Sequence, residues 1–351
     1  MPGINFNTAF KVVRDVKAYL HLEGGFTRGA VPDPKKQIED QAHKLREAKS
    51  RISKQRQTIR IKNREIARLK KLSVMANPAQ GHQENPKTSR LISSPGMGSL
   101  PDFLIIGAQK AGTSSLYSFL TAHPQVASAS KKEVHYFDTP KKLDKGEGWY
   151  RSNFPPPSSQ NGHRIITGEA SPYYLYHPLV ARRAAQVVPH ARLIALLRNP
   201  VDRAYSDYHH KLSDGVETLS FEEAIEAEEE RISGEKERML ADEDYFSHAH
   251  RRYSYLARGI YIDQIKEWHE HFDKDWLLVL KSEDFFKDTR ETMQLVCNFL
   301  GLPDWDGGNL GQGKNMRRYE PMRPETRQRL KSYFEPHNQR LYDYLGTDFG
   351  W

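Results

Sequence analysis

An α/β fold is predicted for the second part of this 351-residue chain: a P-loop-like parallel sheet flanked by helices, with a long basic helix ahead of it. Three observations carry the prediction. Beyond residue 100 short apolar runs alternate with amphipathic stretches, the first run ends in a glycine-bounded turn, and a block of positive charge with a seven-residue apolar repeat lies upstream.

The strand and helix pairs come in order: Phe103–Ile106 then Ser114–Leu120, Arg192–Leu197 then Asp202–Leu212, and Trp276–Leu280 then Thr289–Leu300. Strands that are apolar throughout are those buried on both faces, and the helices between them supply the crossovers that parallel strands require. A hydrophobic content of 37% suffices for such a core. Arg327–Leu345 reads as a closing amphipathic helix. Glu217–Asp244, with 12 acidic residues against three basic ones, reads as a solvated amphipathic helix held by Phe221, Ala224, Ile225 and Ile232. The single cysteine, Cys297, falls in the apolar pattern Met293–Leu300 and reads as a small core residue.

Upstream, residues 1–34 read as a short helix (Phe10, Val13, Val16, Leu20) and a break at Gly24, Gly25, Pro32 and Pro34. Ile38, Leu45, Ile52, Ile59 and Ile66 recur every seven residues, so 35–75 reads as one long helix. Its second seam is polar in either register (Lys49, Arg56 and Asn63, or Gln41, Gln55 and Lys62), which leaves two readings. One is a coiled coil that is weak or particular about its partner; the other is a solvated basic helix lying on its own domain or on an acidic surface. Residues 76–100, rich in Pro, Gly, Ser, Asn and Gln, read as a flexible linker, and 101–351 as the α/β domain.

The formal net charge is +8. Lys35–Lys71 holds 14 Lys/Arg against 4 Asp/Glu, a net of +10, so the rest sums to −2. The basic balance belongs to that one helix, and nucleic acid is not an expected partner of the domain; nucleic-acid binding by the helix alone would be lost steeply with salt. No run of about 18 apolar residues occurs, as a membrane span would need, and Lys11, Arg14, Asp15 and Lys17 interrupt any signal-peptide core. With one cysteine, the expectation is a soluble cytoplasmic protein without a transmembrane segment.

The turn after the first strand is Gly107-Ala108-Gln109-Lys110-Ala111-Gly112-Thr113-Ser114-Ser115. Its two glycines have P-loop spacing: small residues let backbone N–H groups converge on phosphate oxygens, and the following helix adds its positive end. Thr113, Ser114 and Ser115 can add hydroxyls. A nucleotide-hydrolysing P-loop places lysine directly after the second glycine; here Thr113 stands there and Lys110 has moved inside the loop. A second strand ends in Arg198-Asn199-Pro200-Val201-Asp202-Arg203-Ala204-Tyr205-Ser206. Pro200 suits the opening of a helix and Asp202 its first turn, so Arg198 and Ser206 can meet one anion from two sides.

The first motif resembles the 5′-phosphosulfate loop of sulfotransferases, Gln-Lys-x-Gly-Thr-[ST]-[ST], and the second resembles their 3′-phosphate signature. Residues 101–351 are thus similar to sulfotransferases that use 3′-phosphoadenosine 5′-phosphosulfate (PAPS), releasing PAP. By pattern they are most similar to the heparan-sulfate type: Lys131-Lys132-Glu133-Val134-His135-Tyr136-Phe137-Asp138 looks like K-E-x-H-[YF]-F, and Lys314 with Arg317 and Arg318 looks like the late basic loop. The resemblance implies sulfuryl transfer to a hydroxyl or amine, with a glycan as acceptor and no metal. Lys110 would stabilise the leaving group and Lys110, Ala111, Gly112, Thr113, Ser114, Ser115, Arg198, Ser206, Lys314, Arg317 and Arg318 would bind the donor. Glu133 is the implied base; His135 is its rival, because phenol-type enzymes use histidine and imidazole titrates nearer neutrality. His210, Tyr173 and Tyr174 are the acceptor-side residues. His248 and His250 read as solvated or substrate-facing rather than metal ligands. Ala170 stands where several heparan-type enzymes carry a lysine, so either another cation substitutes or the acceptor differs, such as a lipid, phenol or peptide. The reading of a different class is an inactive binding protein that recruits an acidic partner, or a second copy, through the basic helix.

Overall fold

A computed structural model describes residues 98–160, 162–303, 305 and 320–351. The expected segments 1–34 and 35–75, and most of the linker 76–100, lie outside the described residues. The domain begins with strand β1 (Phe103–Gly107), helix α1 (Thr113–Leu120), strand β2 (Val126–Ser128) and two short helices, α2 (Pro140–Leu143) and α3 (Gly146–Arg151). Strands β3 (Ser158–Gln160) and β4 (His163–Ala170) follow, then helix α4 (Val180–Val187), strand β5 (Arg192–Leu197) and helix α5 (Pro200–Ser213). Four short helices come next: α6 (Phe221–Glu226), α7 (Glu228–Ile232), α8 (Glu235–Ala241) and α9 (His248–Arg252). The chain closes with α10 (Tyr261–His269), β6 (Leu277–Lys281), α11 (Ser282–Lys287), α12 (Thr289–Leu300) and α13 (Pro324–Leu345).

Two of the three apolar runs, β1 and β5, lie inside the sheet, and the third, β6, is its edge strand and is only partly buried. Every residue of β1 is buried, and β5 is buried from its second residue on, as strands covered on both faces must be. The parallel order is β2-β4-β1-β5-β6, with β3 antiparallel on β4. Phe103 pairs with Gly168 on one side and Arg192 on the other. A side chain at Gly168 would bring its Cβ to 2.4 Å from the Phe103 carbonyl, so this close strand contact requires glycine. Chain order reverses at β1, and in open α/β sheets ligands bind at the carboxyl ends of strands at such a switch point. Gly107, Ala170 and Leu197 end β1, β4 and β5 at that edge.

Helix α5 starts as its sequence predicts. The Asn199 side chain accepts from the N–H groups of Val201 and Asp202, with Pro200 in the first turn. The acidic stretch departs from expectation: it forms three short helices, broken at Ser233-Gly234, where Gly234 has φ 72°. Glu217, Glu228 and Glu235 are buried. Each needs donors from remote segments, which a single straight helix could not meet: Arg231 and Tyr255 for Glu217, the Leu256 and Ala257 amides for Glu228, Tyr245 and Ser247 for Glu235. Cys297 is buried in α12, and Tyr255, Tyr261 and Trp268 are core residues.

The C-terminal residues brace the edge where β5 ends. The Trp351 amide donates to the Tyr342 hydroxyl at 3.0 Å and its indole to Glu283 at 3.4 Å, while Glu283 accepts from the Asn199 amide at 2.8 Å. The residue after Arg198 is thereby tied to the end of the chain.

Candidate active site

The loop between β1 and α1 is held by its carbonyls. Arg198 donates to the Lys110 carbonyl at 3.1 Å and Ser282 to that of Ala111 at 2.6 Å, while the Ala108 amide donates to Leu196 at 2.8 Å. Arg258, fully buried, donates to the Gln109 side chain and to the carbonyls of His250 and Arg251. Lys110 and Gly112 both lie in the left-handed region, at φ 73° and 101°. Gly112 is the N-cap of α1 and provides no side-chain cap, so the helix's positive end and first N–H groups face the loop. That cradle, with Ser114 half-buried and Thr113 and Ser115 buried beside it, fits a phosphate-bearing ligand.

The segment after β2 places a second group across from the loop. Lys132 Nζ donates to Ser114 Oγ at 2.6 Å and lies 2.7 Å from Glu133 Oε1. Glu133 Oε2 is 3.0 Å from His135 Nε2, and His135 Nδ1 is 2.6 Å from Asp138 Oδ2. Burial would raise the Glu133 carboxyl, but hydrogen bonds from His135 and Lys132 outweigh it and hold the group at about 2. Burial likewise opposes charge on His135, yet Asp138 and Glu133 raise it to about 9. Asp138, which burial would raise, is held at about 2 by the His135 hydrogen bond, with the charges of His135 and Arg251 adding to it. Around neutral pH the three form a carboxylate–imidazolium–carboxylate chain. His135 is therefore protonated in this state and holds no free lone pair for a substrate proton. Its backbone is also unusual, at φ 55°, with its amide donating to Ser171 Oγ, a left-handed conformation typical of functional positions.

Glu169, which sequence reasoning assigned no role, is the post beneath this segment. It is fully buried at the end of β4 and accepts from the Val134 amide (3.0 Å), Ser171 (2.6 Å), Tyr150 (2.8 Å) and Tyr174 (3.1 Å). Tyr174, expected on the acceptor side, is instead fully buried, and its hydroxyl also accepts from the Tyr136 amide at 2.8 Å. It supports residues 134–137 from below because an aromatic ring with a hydroxyl can fill the core and still meet a buried carboxylate.

An open cleft of about 180 Å³ lies between the phosphate loop and the segment that carries Glu133 and His135. Gln109 of the loop, Glu133, His135, Pro172 and Tyr173 line it, with Lys211 from α5 and Arg251 from α9. Lys211 and Arg251 were missed by sequence reasoning; nothing local marks them, since α9 lies over a hundred residues from Glu133. Arg251 reaches 3.3 Å from His135 Nδ1 and 3.5 Å from Asp138. Tyr173 lines the cleft, but its hydroxyl meets His250 Nδ1 at 2.7 Å. His250 is buried and held neutral, its ring pushed down to about 2 by burial and then by the Arg258 charge, so the solvated reading does not apply to it. His210 is half-buried, lowered by burial and then by the nearby charge of Lys110, which places it near the loop lysine. Ser206 is buried in α5, and Ala170 is buried at the end of β4. Lys314, Arg317 and Arg318 lie outside the described residues. Among the described residues no cluster of His, Cys, Asp and Glu could hold a metal ion.

Comparison with known proteins agrees with this architecture. Residues 100–338 match the sulfotransferase domain. The chain is 27% identical to the membrane-associated sulfotransferase kil1 of Dictyostelium discoideum, over 72% of this chain and 66% of that protein. It is 30% identical to human heparan sulfate glucosamine 3-O-sulfotransferase 6, over 74% of this chain and 76% of that protein. It also matches 30% of the length of a bifunctional heparan sulfate N-deacetylase/N-sulfotransferase of Caenorhabditis elegans. A sulfotransferase from Alicyclobacillus acidocaldarius has the same fold, with 31% identity and a TM-score of 0.56, covering 72% of this chain and 98% of that one.

The relatives correct one expectation. Kil1 is membrane-associated, so a cytoplasmic location does not follow from the lack of an apolar run. No helix of the described residues is long and apolar enough to cross a membrane. That concerns only how the catalytic fold packs its core, since an enzyme's membrane association need not pass through its catalytic domain. From loop, cleft and relatives together, the chain belongs to the sulfotransferase family and is a sulfotransferase enzyme.

Proposed function

We propose that this enzyme moves the sulfuryl group of PAPS to a hydroxyl of a carbohydrate acceptor. The observation that carries the reading is that Gln109 of the phosphate loop faces one cleft with Glu133 and His135, the latter held from behind by Asp138. The heparan sulfate relatives support the carbohydrate acceptor.

PAPS, when bound, supplies the sulfuryl group on a phosphate leaving group. The chain's own residues do the rest. The uncapped start of α1 and the hydroxyls of Thr113, Ser114 and Ser115 hold the 5′ end, Arg198 and Ser206 hold the 3′-phosphate, and Lys314, Arg317 and Arg318 supply further positive charge for the nucleotide. Lys110 neutralises charge that develops on the leaving oxygen. Glu133 is ionised at neutral pH and accepts the hydroxyl proton, while the imidazolium of His135 orients it and stabilises its charge. His135 acts as the base's support rather than as the base, because its proton is held up to about pH 9.

The test incubates purified protein with labelled PAPS and a panel of polysaccharides, phenols, lipids and peptides, without added metal. Transfer to a polysaccharide is expected. Transfer only to a phenol, lipid or peptide would overturn the acceptor, and neither transfer nor PAP binding would overturn the donor.

A further inference from the structure

Glu133 presents a difficulty for the reading above: a carboxylate held at about 2 is ionised but weakly basic. The groups that hold it down are His135 and Lys132. Of these, His135 is fixed from behind by Asp138. Lys132 is not fixed in that way. Its ammonium is shared between Glu133 Oε1 at 2.7 Å and Ser114 Oγ at 2.6 Å, and Ser114 belongs to the anion cradle itself. Lys132 is on an irregular segment and a quarter of its side chain is exposed, so it is free to redistribute its contacts.

We propose that Lys132 couples the phosphate loop to the base: an anion entering the loop draws the ammonium toward Ser114, and Glu133 becomes a stronger base only when the donor is in place. The inference rests on the donor reading given above. The other charged groups around Glu133 do not track the loop in this way. His135 and Asp138 belong to the same segment, Arg251 of α9 bears on His135 and Asp138, and, among the described residues, Lys211 of α5 lines the cleft without a hydrogen bond to the loop. Lys132 alone among these has one contact on the loop and one on the base. No bond is made or broken in the step; a shared hydrogen-bond donor changes its weighting. As a result an ionised carboxylate is kept quiet while the cleft is empty and is strengthened for the moment of transfer.

Coupling of this kind is reciprocal. If the loop anion and Glu133 compete for Lys132, then removing the carboxylate must tighten anion binding, and the gain must pass through Lys132. Lys132 is a positioning residue in this account, and the double-mutant cycle on PAP affinity, measured by calorimetry at neutral pH, separates that role from a merely structural one. Glu133→Gln is expected to bind PAP about five- to tenfold more tightly than the wild type, in the usual range of such couplings. Lys132→Gln is expected to bind PAP more weakly, and Glu133→Gln added to it should bring no further gain. Lys132→Arg, which keeps a cation, should retain most of the Glu133→Gln gain and guards against misfolding of the glutamine variant. Unchanged affinity in Glu133→Gln overturns the coupling, and so does an equal gain in the Lys132→Gln background, which would mean plain repulsion between carboxylate and nucleotide. If the wild-type chain binds no PAP, the donor reading fails, and the coupling fails with it.

Discussion

His135 Nδ1 stands 2.6 Å from Oδ2 of the fully buried Asp138, and this contact gives folding stability a definite pH dependence. The ring's pKa is raised in the folded state from 6.5 to about 9, so its contribution is fully present below pH 6.5 and is lost as pH rises through 9. Glu133 and Asp138 are depressed to about 2 from 4.5 and 3.8; their contributions are present above those ordinary values and are lost as pH falls through 2. Stability from the chain should therefore be greatest between about pH 5 and 6.5. Thermal melts at pH 6.5 and pH 9.5 should show a larger drop in the wild type than in Asp138→Asn, whose His135 keeps only Glu133 as a carboxylate partner. Equal drops would mean that the contact does not hold the proton.

Lys110 should matter for the rate more than for donor affinity. The backbone carbonyls of Lys110 and Ala111 are fixed by Arg198 and Ser282, so Lys110→Ala leaves the cradle standing. Loss of one charge-stabilising group typically lowers kcat by about 10²–10³-fold. Transfer kinetics beside PAP calorimetry check this. A variant that loses PAP binding in proportion to rate would place Lys110 in binding instead.

Gly112 is required twice over. Its φ of 101° is one that side chains rarely adopt, and an added Cβ would lie 2.7 Å from the Phe286 ring. Gly112→Ala should abolish measurable PAP binding. Phe286→Ala in the same chain relieves the contact but not the backbone, so recovery should be partial at most. Full recovery would show that only the contact matters.

Glu169→Gln looks conservative and should not be. All four of its partners donate to it, and an amide brings donors of its own where only acceptors fit. Leaving buried donors facing a donor costs about 1–3 kcal/mol. The loss should appear as a lower denaturant midpoint, together with reduced transfer, because residues 133–138 rest on this carboxylate. A midpoint within error of the wild type would remove Glu169 from its supporting role.

What could be read from the chain and what could not divides by the distance over which the interactions run. Strands β1 and β5 and the loop Gly107–Ser115 are visible because their apolar runs and glycines are contiguous. Strand β4 gives no such signal: His163-Arg164-Ile165-Ile166-Thr167-Gly168-Glu169-Ala170 opens exposed and carries a buried glutamate next to its last residue, a pattern neither alternating nor apolar. The role of Glu169 depends on donors at 134, 150, 171 and 174, which only the fold assembles. His250 reads as a surface histidine beside His248, but the hydroxyl of Tyr173, 77 residues away, and burial beside Arg258 decide its state. The acidic stretch departs from its local pattern for the same reason, since Glu217, Glu228 and Glu235 turn inward toward donors that the local pattern cannot reveal.

The place of the lysine missing at Ala170 is taken by a cation that other elements bring to the cleft. Ala170 is buried, and its amide donates to the Lys132 carbonyl at 2.8 Å, so a lysine placed there would have to leave the core to reach the cleft. Lys211 and Arg251 already line that space. Arg251 is partly committed to Asp138 at 3.5 Å, whereas Lys211 has no ion-pair partner among the described residues. Burial lowers the Lys211 pKa, and Asp207 one turn back counters it, which keeps a cation facing the cleft. Lys211→Met should therefore lower transfer by about tenfold or more with PAP affinity little changed, and Lys211→Arg should restore most of the loss. Ala170→Lys added to Lys211→Met should not rescue transfer, because position 170 is buried in the core and does not line the cleft. Rescue by Ala170→Lys would show that the strand end can present a cation after all, and that Lys211 is not its substitute.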